Sequence, residues 1–197
     1  TGASNSIAGA TTFLNTGTLT IGASGGTSNF TGGINTTSVV GTVTLKGTIN
    51  TTNTAMTFGA VTLGANTTLD TNAATTAGDL TIGAVTGGTY DLTLDTGHVA
   101  NADISGTSVS GVGILTITDV STATFTGAIG ATTVTLTDGL TLIDLQGAIT
   151  ATTLNIPDTV DANVNLTGTT SVITNAFSPA NLGTLTLGQS SDRKSFA

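Results

Sequence analysis

Cysteine, tryptophan and glutamate are absent, and only three residues are basic: Lys46, Arg193 and Lys194. Each gap excludes something. Without cysteine there is no disulfide and no thiolate chemistry. Residues 47–192 hold no lysine or arginine. The clustered cations that bind nucleic acid or an anionic membrane surface are therefore missing, and neither partner is expected. Apolar runs fall far short of the roughly 18 residues of a membrane helix, so no membrane insertion of this segment is expected. Thr1-Gly2-Ala3-Ser4 has neither the basic nor the apolar region of a signal peptide, and the chain reads as a processed product or an excised piece of something longer. Strong helix formers are scarce, which turns attention to strands.

What is present is threonine, about a quarter of the chain, with 27 glycines among 197 residues. Charged residues make up 7%, against about 25% in an average soluble domain. All eleven acids are aspartate and the net charge is −8. With 38% apolar residues and so little charge, the chain is expected to fold.

The recurrent unit is apolar-Thr-apolar: Leu19-Thr20-Ile21, Val43-Thr44-Leu45, Val61-Thr62-Leu63, Leu80-Thr81-Ile82, Leu115-Thr116-Ile117, Val134-Thr135-Leu136 and Leu185-Thr186-Leu187. Period two places the aliphatic residues on one face and the threonine on the other. Glycine or aspartate follows most units, a turn signal. The clearest copy is Phe125-Thr126-Gly127-Ala128-Ile129 with Val134-Thr135-Leu136. It returns 20 residues later as Leu145-Gln146-Gly147-Ala148-Ile149 with Leu154-Asn155-Ile156. A copy at that period is one turn of chain repeated. The fold predicted is all-β, a parallel β-solenoid (β-helix) with coils of about 20 residues. An antiparallel sandwich also has short recurrent strands, but has no reason to repeat its own sequence. The solenoid is assigned to residues 1–189, with an irregular coil or loops at 157–182, around Pro157 and Pro179, and a tail at 190–197. About ten coils would make a rod on the order of 45–50 Å long.

No residue announces a chemistry. His98 is the only histidine, and no G-x-S-x-G elbow accompanies it, so it reads as a loop residue. The aspartates raise two ideas. Paired carboxylates cleave glycosides, and a β-helical polysaccharide-active enzyme is one alternative. Such sites also need Arg, Lys, Trp or Tyr to hold sugar; here there is no Trp, one Tyr (Tyr90), and no basic residue in 47–192. The second idea is calcium, for which Asp158 and Asp161, with Asn163, form the densest oxygen cluster; the stacked G-G-x-G-x-D signature is absent, and no cofactor is expected. Stacked coils would align Thr20, Thr44, Thr62, Thr81, Thr116, Thr135 and Thr186 in one outer column. Such a file of hydroxyls suggests ice binding as another alternative, beside the plain reading of a β-branched residue that packs in ladders.

Thr/Gly/Asn/Ala-rich repeats with F-T-G-x-I units (Phe30–Ile34, Phe125–Ile129) and L-T-I-G units (Leu19–Gly22, Leu80–Gly83) resemble the β-helical passenger regions of bacterial autotransporters and filamentous-haemagglutinin-like surface adhesins. Some S-layer proteins share the bias. The resemblance spans Leu19 to about Leu187. It implies a secreted, non-catalytic rod on a bacterial cell surface, structural or adhesive, whose partners are copies of itself or a host or environmental surface. The membrane-anchoring barrel of the family is not in this sequence. Exposed terminal strands of a solenoid are templates for further pairing, so end-to-end assembly into a fibre or lattice is expected.

Overall fold

A computed structural model describes residues 4–75, 78–188 and 194–196. Among these residues every regular element is a strand, and every strand pairing is parallel. Strands neighbouring in space are one full turn of chain apart, which makes the molecule a parallel β-solenoid. Each coil has three faces, visited in a fixed order. Met56–Phe58 lies on the second face, the start of Val61–Asp70 on the third and its end on the first.

The second face gives the count of coils. Its outward residues pair in one unbroken file: Thr12, Asn35, Thr57, Thr81, Ser105, Thr124, Asp144, Asn165 and Thr186. These nine levels are 19 to 24 residues apart, and at the spacing of paired strands they span about 38 Å. The rod is shorter than ten uniform coils would be because many coils carry extra residues at a corner. One such corner lies between Val61–Asp70 and Leu80–Thr86.

The copied lines from Phe125 to Ile156 are neighbouring coils. Phe125 pairs with Leu145, Ile129 with Ile149 and Val134 with Leu154, so ladder register equals the sequence offset of 20. Alternation then builds the core. Ile34, Met56, Leu80, Ile104, Ala123, Ile143 and Val164 stack inward from the second face. Val43, Val61, Val85, Val109, Ile129 and Ile149 stack from the third. Ile49, Leu69, Leu94, Ile117 and Leu136 stack from the first. All are buried, and each side chain larger than that of Ala123 contributes about 1.5–3 kcal/mol of apolar transfer.

Corners explain the glycines, in two different ways. Gly22 at φ 84° and Gly25 at φ 68° turn Leu19–Phe30 from the third face onto the first. Gly64 and Gly83, expected to turn the chain by the same means, are not in the left-handed region. Gly83 is needed for space, since an added methyl would lie 2.7 Å from the Gly59 carbonyl carbon; at Gly64 it would meet side chains instead, Lys46 Cε at 2.5 Å and Thr44 Cγ2 at 2.8 Å. Towards the last coils, Asn163–Leu166 and Ser171–Ile173 continue the ladders within 157–182, while 174–184 holds no strand. In the 190–197 tail, Lys194–Phe196 pairs with Ser171–Ile173, while 190–193 and 197 lie outside the described residues.

Candidate functional site

The predicted threonine column is divided among three faces. Thr20, Thr44 and Thr62 share the third face, where Thr86 follows them. Thr81 and Thr186 stand in the second-face file. Thr116 and Thr135 stand on the first. The seven therefore do not form one column. Local alternation sets inward against outward, but a coil of three faces presents the same triplet on any of them. The longest continuous threonine file joins Thr116 and Thr135 to Thr27, Thr48, Thr68 and Thr93, which the predicted column did not include, and is continued by Asn155.

Two residues further along the same strands runs a second file: Ser6, Asn29, Asn50, Asp70, Asp95 and Thr118. Its amides and carboxylates sit at the end of the first face, where each coil turns. Asn50 Nδ2 donates to Asn29 Oδ1 at 3.2 Å, while Asn50 Oδ1 is buried without a hydrogen-bond partner. The Asn72 N–H donates to Asp70 Oδ1 at 2.7 Å, and the Gly97 N–H to Asp95 Oδ1 at 2.8 Å, the local bonds that make aspartate a turn residue. Burial raises the Asp70 carboxyl above its ordinary value, and the bond from Asn72 only partly offsets it. Burial also pushes Asp95 up to about 6, with the charges of Asp70 and Asp119 adding to it.

Just beyond this file lie Asp119, Asp138 and His98. Asp119 takes a left-handed turn conformation at φ 44°. His98, exposed in the loop after Leu92–Asp95, brings Nδ1 to 3.3 Å from Asp138 Oδ2. One ligand atom from each of His98, Asp119 and Asp138 falls within 4.8 Å of the others, the one three-residue set of its kind among the described residues. Two of the three are held together by the His98–Asp138 contact itself. Asp158 and Asp161, the sequence-based calcium candidates, are exposed and outside this set. Asn163, the third member of that cluster, accepts the Thr184 N–H on Oδ1 at 2.9 Å.

Other aspartates join one coil to the next. Asp79 Oδ1 accepts the Asp103 N–H, Asp103 Oδ1 accepts the Thr122 N–H, and Asp91 Oδ1 accepts the Ile114 N–H. These carboxylates do work that backbone carbonyls do elsewhere in the ladders. A shallow open groove of about 490 Å³ crosses several coils, lined by Gly111, Gly130, Ala131, Thr132, Ala151 and Thr152 among others. Small side chains in successive coils form it.

Comparisons with protein families, curated proteins and solved structures find no match for this chain.

Proposed function

We propose that this chain is part of a secreted, non-catalytic rod of a bacterial surface, structural or adhesive in role. The observation that carries the reading is the pair of outward files on the first and second faces. One presents six threonines in register, and the other nine residues, all but Asp144 uncharged at neutral pH. A rigid scaffold that repeats hydroxyls at strand spacing offers a long, nearly uncharged surface, suited to many weak contacts rather than to one pocket. Parallel ladders also favour continuation, since a terminal coil presents backbone groups that another coil can pair. Leu14 near the first coils and Leu182 near the last are each 72% exposed, apolar surface that further coils or a second copy would cover.

The test has two arms. Sedimentation and electron microscopy over a range of concentrations should show rods lengthening in multiples of the single particle. Display of the chain on a non-adherent bacterium should increase attachment to abiotic or host-cell surfaces. Short isolated particles at high concentration, together with unchanged attachment, would overturn the reading.

The threonine file on the first face also favours an ice-binding reading. Against it, the adjoining file is Asn29, Asn50, Asp70 and Asp95 rather than a second row of threonines. Thermal hysteresis in a freezing assay decides between the two.

A further inference from the structure

The file Asn29, Asn50, Asp70, Asp95 repeats polar groups on four successive coils, and its hydrogen bonds stop halfway. Asn50 gives its amide nitrogen to Asn29 on the coil before, at 3.2 Å. An amide with its nitrogen committed to that side turns its oxygen toward the coil after, where Asp70 is its register partner. That oxygen, Asn50 Oδ1, is buried and has no donor. An ionised aspartate is an acceptor only and cannot supply one, whereas a neutral carboxyl carries one O–H donor. Asp70 Oδ1 already accepts the Asn72 N–H, so Oδ2 is the oxygen left for a proton. Asp95, the partner on the next coil, repeats the arrangement, with its Oδ1 taken by the Gly97 N–H.

We propose that this file is a proton-binding ladder: a proton taken from solvent resides on the Asp70–Asp95 carboxyl pair and gives Asn50 Oδ1 the hydrogen bond it lacks. In the protonated form the bonds run one way along the rod, from Asp70 O–H to Asn50 Oδ1 and from Asn50 N–H to Asn29 Oδ1. Two carboxyls in adjacent register share such a proton more readily than they carry two charges.

The surroundings favour the same state. The coil before Asp70 presents the neutral Asn50, and the coil after presents Asp95. Asp119 acts on both carboxyls as a further negative charge, and Asp138 stands beyond it with His98. Lys46, the register partner of Gly22, lies four residues before Asn50 at the bend in the middle of Val43–Asn50, where its side chain runs beside Gly64. The upward displacement of both carboxyls, Asp95 to about 6, agrees with the geometry.

Asp70→Asn tests this directly, because an amide at position 70 can still accept the Asn72 N–H and provides a permanent N–H donor toward Asn50. The thermal midpoint at pH 7.5 should rise by about 2–4 °C, the shift that ~1 kcal/mol gives in a chain of this size. Its change between pH 4 and 7 should shrink, while Asp158→Asn, at an exposed carboxyl off the ladder, should leave the profile as it is. Carboxyl carbon NMR on the unaltered chain gives an independent readout: the Asp70–Asp95 pair should take up a proton well above the ordinary aspartate range. A midpoint lowered at pH 7.5 in Asp70→Asn, or Asp70 and Asp95 both titrating in the ordinary aspartate range, would overturn the proposal.

Discussion

Gly106 and Phe125 are register partners on adjacent coils, and the phenyl ring of Phe125 occupies the space where a side chain on Gly106 would begin. A methyl built on Gly106 would lie 2.1 Å from Cε1 of that ring, and Phe125 is fully buried. In this second-face column Phe58 is followed by Ile82, then by glycine, then again by phenylalanine. The large ring is accommodated by removing its neighbour's side chain. Gly106→Ala should therefore destabilise by overpacking, by about 1–3 kcal/mol. Phe125→Leu should recover part of that loss when combined with Gly106→Ala, and a double-mutant cycle on denaturant midpoints measures the coupling.

Stacked glycines at the corner between the second and third faces give a sharper contrast. A methyl on Gly147 would stand 2.0 Å from the Gly127 carbonyl oxygen, and one on Gly168 1.9 Å from the Gly147 carbonyl oxygen. The obstacle is backbone, which cannot rotate aside. Gly147→Ala is expected to cost more than Gly106→Ala and to loosen the coils on either side. Gly17→Ala, where nothing lies within 4 Å, should be close to neutral. Thermal melts of the three variants test the order.

Ser171 sits where the third-face aliphatic column meets its last coils. It is buried, accepts the Ile149 N–H at 3.0 Å and donates to the Gly168 carbonyl at 3.3 Å. Ser171→Ala leaves a buried N–H unsatisfied, which costs about 1–3 kcal/mol. Faster hydrogen exchange at the Ile149 amide is the specific sign, since a general loss of stability would not single out that position.

The carboxyl of Asp95 sets a pH dependence whose sign is opposite to that of a salt-bridged acid. Its value is raised from an ordinary 3.8 to about 6, so between these values the folded chain binds more protons than the unfolded one. Stability must then fall as pH rises through about 4 to 6, and the contribution is fully present only in acid. Solvent screening of this half-exposed group keeps the effect modest. The difference in melting midpoint between the unaltered chain and Asp95→Asn, followed from pH 4 to 7, should change in that window and level off above it.

The repeat from Phe125 to Ile156 was legible because both copies keep the same corner lengths, so sequence offset and ladder register coincide. Elsewhere corners vary: Thr68 and Thr93 are register partners 25 residues apart, Thr116 and Thr135 only 19. A column drawn through similar triplets then drifts from face to face. From Thr62 to Thr81, 19 residues carry the chain from the third face to the second, short of a full turn. The candidate polar file was hidden for a related reason. Asn50, Asp70 and Asp95 each look like an ordinary turn residue, and only stacking reveals that they are neighbours. The buried Asn50 oxygen leaves no trace in sequence, because it depends on which way an amide faces.

The ladder bonds all run from one coil to the next, so they lie along the long axis. A load applied between the two ends pulls on them end-on, and the terminal coil, held on one side only, gives way first. Such a rod tears like a zipper rather than snapping. Each step frees one coil of 18 to 25 residues, about 60–90 Å of extended chain, while the remaining coils keep their register. Force applied across the rod meets the strands lengthwise and loads many bonds of a coil together. The same molecule is thus compliant in one direction and stiff in the other.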